Sequence, residues 1–123
     1  MKRSLKRSLV AFVLSLGAAA TAFAHHGWSE YNADKPLTLT GTIAESGYSQ
    51  PHGHVELKTA DKTWHVVLAP PSRMESRGLP KDALASGGQA TVYGYPHRSK
   101  DGELRAERIT VKDQGKDKTV ELR

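Results

Sequence analysis

Short segments in which apolar and polar residues alternate are the feature that most constrains the fold of this chain. In residues 37–43, Leu37, Leu39 and Ile43 alternate with threonines, and Gly41 predicts a bulge within the segment. Successive side chains of a strand point to opposite sides, so this alternation is typical of a strand with one buried face. The chain is therefore expected to be built mainly of β-strands.

Four further segments have the character of strands. Most are bounded by turn-forming residues, and the second and third are joined by a short turn at residues 60–62. In chain order they are residues 54–58, 63–69, 88–98 and 104–111, with a possible edge strand at residues 119–122. The third of the five strands is the most apolar.

Between the third and fourth strands the sequence predicts short helical turns. Two prolines end the third strand, and the spacing of Ser72 and Glu75 predicts a capping box, in which each side chain bonds the other residue's amide. Gly78 is expected to end the first turns, and Pro80 can begin a second helix.

Three meandering strands, a helical segment and two further strands are the element order of the OB fold. The predicted class is therefore all-β with a small α content: a five-stranded OB-like Greek-key barrel with a short helical segment between strands three and four. A small β-sandwich is the main alternative. We assign residues 37–123 to the barrel, and residues 25–36, which have no clear period, to an extended N-terminal arm.

The first 24 residues have the parts of a secretory signal peptide. Four cations among the first seven residues precede an apolar run over residues 9–22, which is too short to span a bilayer with flanks in water. The small-residue triplet Ala22-Phe23-Ala24 provides a cleavage site. We expect cleavage after Ala24, export to the periplasm and no stable membrane insertion afterwards; an uncleaved membrane anchor is the alternative.

Without this segment, the chain no longer has a marked excess of basic residues. The whole chain has 18 Lys and Arg against 13 Asp and Glu, and subtracting the four signal-segment cations leaves 14 against 13. So balanced a chain lacks the basic excess typical of nucleic-acid binding, and no nucleic-acid partner is expected. The absence of cysteine excludes disulfides and thiolate metal sites, and secretion without disulfides favours a periplasm.

Seven motifs carry a resemblance to a known family. They are AHHGWSEY, PLTLTGTI, QPHGHVEL, LAPPSRMESRGL, VYGYPHR, RAERITV and KTVELR. Taken together, residues 24–123 resemble a bacterial family of secreted domains of unknown function, domain of unknown function 6152. Typical relatives have Asn-Pro-His where this chain has Gln50, Pro51 and His52. The resemblance implies no activity, so the function has to be argued from candidate sites.

All six histidines follow residue 24, and histidine is the enriched functional residue of the mature chain. Cleavage there leaves His25 as the N-terminus, where its α-amine and imidazole Nδ1 can chelate one ion. Such a nitrogen site favours Cu(II), and less strongly Zn(II) or Ni(II). His26 does not easily reach the same plane, which leaves His52, His54 or His97 as the further donor; a solvated polar terminus is the alternative.

A second group of candidates lies on strands two and three. In an extended chain His52 and His54 point to the same face and can converge on one ion. A two-residue turn at residues 60 and 61 places Glu56 beside His65, with His54 diagonal to it and within reach of a shared ligand. The alternative is a solvent-facing surface on which His65 is hydrogen-bonded to Glu56.

The OB topology also predicts a rim where loops meet. The loop after strand four lies beside the loop after strand one, so His97 is expected near His52. Residues suited to stacking on a sugar or holding a small ligand on this rim and the adjacent strand are Tyr48, Glu56, Tyr95 and Arg98. Core or surface packing is the alternative for the aromatic residues. The arginines of the helical segment and of strand five are offset by glutamates, and we interpret them as a solvated ion-pair lattice.

No sequence motif of a hydrolase, a P-loop protein or a dinucleotide-binding enzyme is present. An enzyme is therefore not expected, although copper-dependent oxidase chemistry remains compatible with a site at His25. The sequence predicts a periplasmic β-barrel protein that binds a transition metal, Cu(II) first, through His25 and the loop histidines. The alternative is a metal-free module that binds a small anionic or carbohydrate ligand or a partner protein.

Overall fold

The computed structural model describes residues 27–123. The elements in chain order are a 3-10 helix Trp28–Glu30, β1 Leu37–Gly47, β2 His54–Lys58, β3 Thr63–Val67, α1 Pro71–Ser76, a 3-10 helix Lys81–Leu84, β4 Gln89–Pro96, β5 Glu103–Asp113 and β6 Lys116–Glu121. Within residues 27–123 no helix has the length and apolar character needed to cross a membrane. The predicted signal peptide and its cleavage site, with His25 and His26, lie outside the described residues.

The strands form a six-stranded sheet in the order β3-β2-β1-β4-β5-β6, and a further pairing of β3 with β5 closes five of them into a barrel. β3 and β5 are parallel, with Val66 opposite Leu104, whereas the other neighbours are antiparallel. β6 extends the sheet from β5. The predicted OB-like barrel with a short helical segment between strands three and four is confirmed, and the possible edge strand is present as β6.

Alternation along β2 and β3 separates the core from the outer surface. Val55, Leu57, Trp64 and Val66 are buried, while the residues between them are only partly buried. α1 contributes Met74 to the same core. Because the apolar side chains point inward, the histidines and the glutamate of these two strands lie on the outer face of the barrel.

The irregularity in β1 lies at a different position from the one predicted. The register of β1 with β2 shifts between Ile43 and Glu45, so the bulge predicted at Gly41 is wrong. Gly41 instead lies where β1 passes close to the end of β2: a Cβ at this position would be 2.2 Å from the carbonyl oxygen of Lys58. The close backbone approach explains why glycine is needed there.

The start of α1 also differs from the prediction. Pro70 precedes the helix, Pro71 takes its first position, and no side chain caps the helix. The capping box predicted from Ser72 and Glu75 is therefore wrong, because two prolines already fix the backbone and a proline at the first position lacks an N–H that would need a partner. The helix ends before Gly78, as predicted, and Gly78 has the positive φ of 88° that favours glycine.

The segment before β1 packs on the barrel. Tyr31 forms a backbone bridge with His97. Arg98 holds the same segment, since its amide donates to the Glu30 carbonyl over 2.9 Å and its Nε to the Ser29 carbonyl over 3.1 Å. The part of the predicted extended arm that the structure describes thus contains a 3-10 turn and is fixed by the loop between β4 and β5.

Candidate functional site

The register of β2 and β3 brings a carboxylate and two imidazoles together on the outer face of the barrel. Glu56 is directly opposite His65, as the short turn predicts, and His54 is opposite Val67. His54 and His65 are therefore diagonal neighbours, close enough for long side chains to interact. Their ring centroids are 5.0 Å apart.

Glu56 interacts with both imidazoles. His65 Nδ1 donates to Glu56 Oε2 over 2.6 Å, and His54 Nε2 is 3.8 Å from the same oxygen. The side chains of His54, Glu56 and His65 are 36%, 28% and 43% exposed. These three residues, called the His-Glu-His cluster below, are partly shielded from water and still open to a ligand.

The His-Glu-His cluster has the donors and the spacing of a transition-metal site. One ligand atom from each residue lies within 4.8 Å of the other two, and among residues 27–123 no other group of three His, Asp or Glu residues meets this criterion. Metal–nitrogen bonds of about 2.0–2.1 Å place two opposite ligands about 4 Å apart. Side-chain shifts of less than about 1 Å therefore suffice to bring the three atoms onto one ion. Imidazole and carboxylate ligands together suit Cu(II), Ni(II) and Zn(II).

The His54 ring depends on a glycine in the neighbouring strand. Gly47 is the cross-strand partner of His54, and a Cβ at Gly47 would lie 2.3 Å from His54 Cε1. The imidazole thus occupies space that any side chain at position 47 would take. No local sequence pattern indicates this role, because it depends on the register of β1 with β2.

Two further carboxylates lie beside the His-Glu-His cluster. Glu45 is the cross-strand partner of Glu56, and Glu103 is the partner of His65 across the parallel β3–β5 pair. Glu45 is exposed, and Glu103 accepts a hydrogen bond from the Tyr31 hydroxyl. Carboxylates beside the cluster favour a cation there.

His52 has different neighbours, although it is only two residues from His54. Arg105 Nη2 donates to His52 Nε2 over 3.3 Å. Burial, and then the guanidiniums of Arg105 and Arg73, lower the pKa of His52. Two positive charges beside this imidazole oppose the binding of a cation. The structure therefore brings His54 together with His65 and places His52 beside Arg105.

His97 uses both ring nitrogens within the protein. Its Nδ1 accepts hydrogen bonds from the amides of Ser99 and Lys100 at 3.1 and 3.0 Å, and its Nε2 is 3.3 Å from Glu30 Oε1. The ring packs edge-on against Tyr31, and the side chain is only 6% exposed. These contacts hold the β4–β5 loop on the segment before β1.

The other candidate ligand residues on the rim have structural partners. The Tyr48 hydroxyl donates to the Leu79 carbonyl over 2.6 Å. The Tyr95 hydroxyl donates to Glu107 Oε1 over 3.1 Å, and burial, followed by this hydrogen bond, raises the pKa of Tyr95 to about 12. Arg98 holds the segment before β1. Of the four candidates, Glu56 is the one that joins the His-Glu-His cluster.

Arg105 is the residue whose environment differs most from the sequence interpretation. It is only 7% exposed, its guanidinium lies 4.4 Å from the Trp28 ring centroid, and no carboxylate of residues 27–123 forms an ion pair with it. The predicted solvated ion-pair lattice is therefore wrong at this position. The alternating charges of strand five look solvent-facing in the sequence, but β3 pairs alongside Arg105 and Trp28 covers it.

Comparisons with known proteins identify a family and a fold. A family model described as a family of unknown function (DUF6152) matches residues 13–105. No curated protein matches the chain. Among solved structures, the crystal structure of the complex of TiaS with an isoleucine tRNA and ATP is similar, with a TM-score of 0.50 and 17% identity over 68% of this chain and 19% of that chain. The chain spans about a fifth of that larger chain, and at this identity the similarity establishes the fold alone.

Proposed function

The chain belongs to the DUF6152 family of unknown function, and we propose that it binds a divalent transition metal at the His-Glu-His cluster. The observation that carries this proposal is the position of His65 Nδ1 and His54 Nε2, at 2.6 and 3.8 Å from one carboxylate oxygen of Glu56. All three side chains project from paired strands, a scaffold that holds ligands more rigidly than loops do. The proposed role is binding, and no catalytic residue is assigned.

Cu(II) is the metal that we favour, followed by Zn(II) and Ni(II). For nitrogen and oxygen ligands, the affinity of divalent first-row metals is highest at Cu(II). Three protein ligands leave at least one coordination position for water or another donor, and the partial exposure of the cluster gives access to it.

We assign Glu56 as a ligand, with the ion taking the position of the proton on His65 Nδ1; a neutral His65 would then carry its proton on Nε2, and an imidazolium would release one proton. Metal ligands must be deprotonated, so binding releases protons and weakens as the pH falls. Glu56→Gln tests the assignment, because the amide oxygen still accepts the His65 N–H but no longer carries a charge. A loss of affinity of at least about tenfold is expected, and an unchanged affinity would mean that Glu56 only orients His65.

Two lines of support suggest the compartment. The first 24 residues have the pattern of a signal peptide, and the chain contains no cysteine, so we propose export to the periplasm with cleavage after Ala24. The intact mass of the secreted protein tests this proposal. A chain that begins at His25 is expected, and a chain that retains residues 1–24 would contradict it.

The α-amine and imidazole of His25 form a second candidate Cu(II) site. Its support is the sequence alone: cleavage after Ala24 would leave a free amine beside an imidazole nitrogen, and nitrogen donors favour Cu(II). One residue appended before His25 removes the amine–imidazole chelate. Cu(II) affinity that falls far more than Zn(II) affinity supports this site, and unchanged affinity excludes it.

Calorimetric titration of the metal-free protein with Cu(II) tests the His-Glu-His cluster directly. The wild type should bind one equivalent there, and His54→Ala and His65→Ala should each lower the affinity by more than about tenfold. The double variant should add little, because residues of one site are not independent.

His52→Ala is the matched control, because it removes an imidazole two residues from His54 that is bonded to Arg105 instead. We expect it to retain wild-type Cu(II) affinity. A loss as large as that of His54→Ala would contradict the proposal. So would a melting temperature that Cu(II) does not raise, because a ligand that binds the native state must stabilise it.

A further inference from the structure

Arg105 is a buried cation that has no counter-ion among residues 27–123. The residue is 7% exposed, and its Nε has no hydrogen-bond partner in the same range. Its side-chain contacts within residues 27–123 include the Trp28 ring and His52 Nε2, neither of which is negatively charged. A buried charge is normally paired, because an aromatic ring or one neutral hydrogen bond does not replace the water that burial removes.

The two glutamates that flank Arg105 on the outer face of β5 are already engaged. Glu103 Oε2 accepts the hydrogen bond of the Tyr31 hydroxyl. Glu107 Oε1 accepts from the Tyr95 hydroxyl and from Arg123 Nη1, at 3.1 and 3.3 Å. Neither carboxylate forms an ion pair with Arg105, so its charge is not compensated from its own strand.

Two further arginines lie in the neighbourhood of Arg105. Arg123 also stacks on Trp28, 4.5 Å from the ring centroid. Burial lowers the pKa of Arg105; Tyr31 opposes this effect, and Arg73 and Arg123 add to it. Arg73 is partly buried and uses Nη1 to donate to the Leu122 carbonyl over 3.0 Å. We call Arg73, Arg105 and Arg123 the arginine cluster.

We propose that the arginine cluster binds a small oxyanion, of the phosphate or carboxylate class. The Arg123 side chain is 58% exposed and Arg73 is partly buried, and the planar guanidinium group of an arginine matches the paired oxygens of such anions. Arg105 adds an attraction that is strong because this charge is shielded from water. The bound anion supplies the counter-charge that Arg105 lacks among the described residues, and none of the three arginines is a member of the His-Glu-His cluster.

Trp28 fluorescence provides a local measurement of this binding. The chain has two tryptophans, so Trp64→Phe leaves Trp28, which contacts Arg105 and Arg123, as the single reporter. The full chain, freed of metal on a chelating resin, is titrated in Tris chloride with sodium phosphate, sodium succinate or sodium chloride at matched ionic strength. Emission and thermal unfolding are recorded in each arm.

We expect a saturable change in emission and a higher melting temperature with phosphate or succinate, and neither change with added chloride. The arm that responds identifies the anion as a phosphate or a carboxylate. Arg73→Gln combined with Arg123→Gln should weaken binding by at least about tenfold, because charge-assisted hydrogen bonds are lost. Arg108→Gln is the control: it removes one positive charge, from an arginine that stacks on Tyr93, 4.2 Å from its centroid, and should leave binding unchanged.

Arg105→Met tests the buried charge itself. In chloride the variant should be at least as stable as the wild type, because an uncompensated buried charge has been replaced by an apolar side chain, and phosphate or succinate should no longer stabilise it. If this variant does not fold, the Arg73 and Arg123 substitutions still decide the question.

Equal emission and melting temperature of the wild type in all three salts would overturn the proposal, as would an equal loss in Arg108→Gln. His65→Ala should keep the oxyanion response, so failure of this proposal is distinguishable from failure of the metal proposal.

Discussion

At the scale of single residues, the His54 ring can take its position because Gly47 has no side chain. The two residues are cross-strand partners, and the imidazole lies where a Cβ of residue 47 would be, 2.3 Å from Cε1. The sequence shows Gly47 only as one of several turn-forming residues. Its role follows from the register shift after Ile43, which no local pattern encodes.

Gly47→Ala should therefore displace the His54 ring and weaken metal binding. We expect the Cu(II) affinity to fall by about tenfold, in the range seen when the support of a metal ligand is removed. The fold should persist, because alanine is tolerated in a strand at least as well as glycine. Calorimetric titration together with urea unfolding checks this prediction. Wild-type affinity in the variant would mean that the ring reaches the ion without the space at Gly47.

Tyr31 gives a prediction for alkaline pH. Burial, followed by its hydrogen bond to Glu103, raises the pKa of Tyr31 above its ordinary value of 10.0. Above pH 10 the unfolded chain therefore loses this proton more readily than the folded chain does, so the stabilisation is complete below pH 10 and is lost as the pH rises further. The free energy of unfolding should fall less steeply above pH 10 in Tyr31→Phe than in the wild type. Urea unfolding between pH 9 and pH 11 measures both slopes, and equal slopes would contradict the assignment.

At the scale of elements, β2 and β3 could be predicted from the sequence, whereas the closure of the barrel at Arg105 could not. Apolar and polar residues alternate in both strands, and the short turn between them fixes the pairing of Glu56 with His65. The parallel pairing of β3 with β5 joins segments far apart in the chain. The burial of Arg105 follows from that closure, so a local reading of strand five as solvent-facing was wrong there.

The 3-10 helix Trp28–Glu30 is expected to stabilise the barrel through one side chain. Trp28 contacts the guanidiniums of Arg105 and Arg123 and packs edge-on against Tyr95. Trp28→Ala should lower the free energy of unfolding by about 2 kcal/mol, from lost burial and lost cation–π contacts. Trp28→Phe, which keeps an aromatic ring, should lose less than half of that amount. Urea unfolding of the three proteins is the measurement, and equal stability of Trp28→Ala and the wild type would contradict this account.

At the scale of the whole molecule, one small barrel carries two sites of opposite charge preference. The His-Glu-His cluster lies among carboxylates, and His52 lies beside the arginine cluster. The sequence indicates that histidines are the candidate metal ligands, and it predicts the pairing of Glu56 with His65. It also predicts that His52 and His54 converge on one ion. The two histidines have different neighbours because β2 begins at His54. His52 precedes the strand, so the alternation of side chains that places His54 near Glu56 and His65 does not extend to His52.

The electron paramagnetic resonance spectrum of the secreted protein with one equivalent of Cu(II) tests the central claim most directly, because nitrogen hyperfine structure counts the nitrogen ligands. We predict two imidazole nitrogens in the wild type and in His52→Ala, and one in His54→Ala or His65→Ala. A spectrum that is the same in the wild type and in the His54→Ala, His65→Ala double variant would contradict the assignment of the metal site to the His-Glu-His cluster.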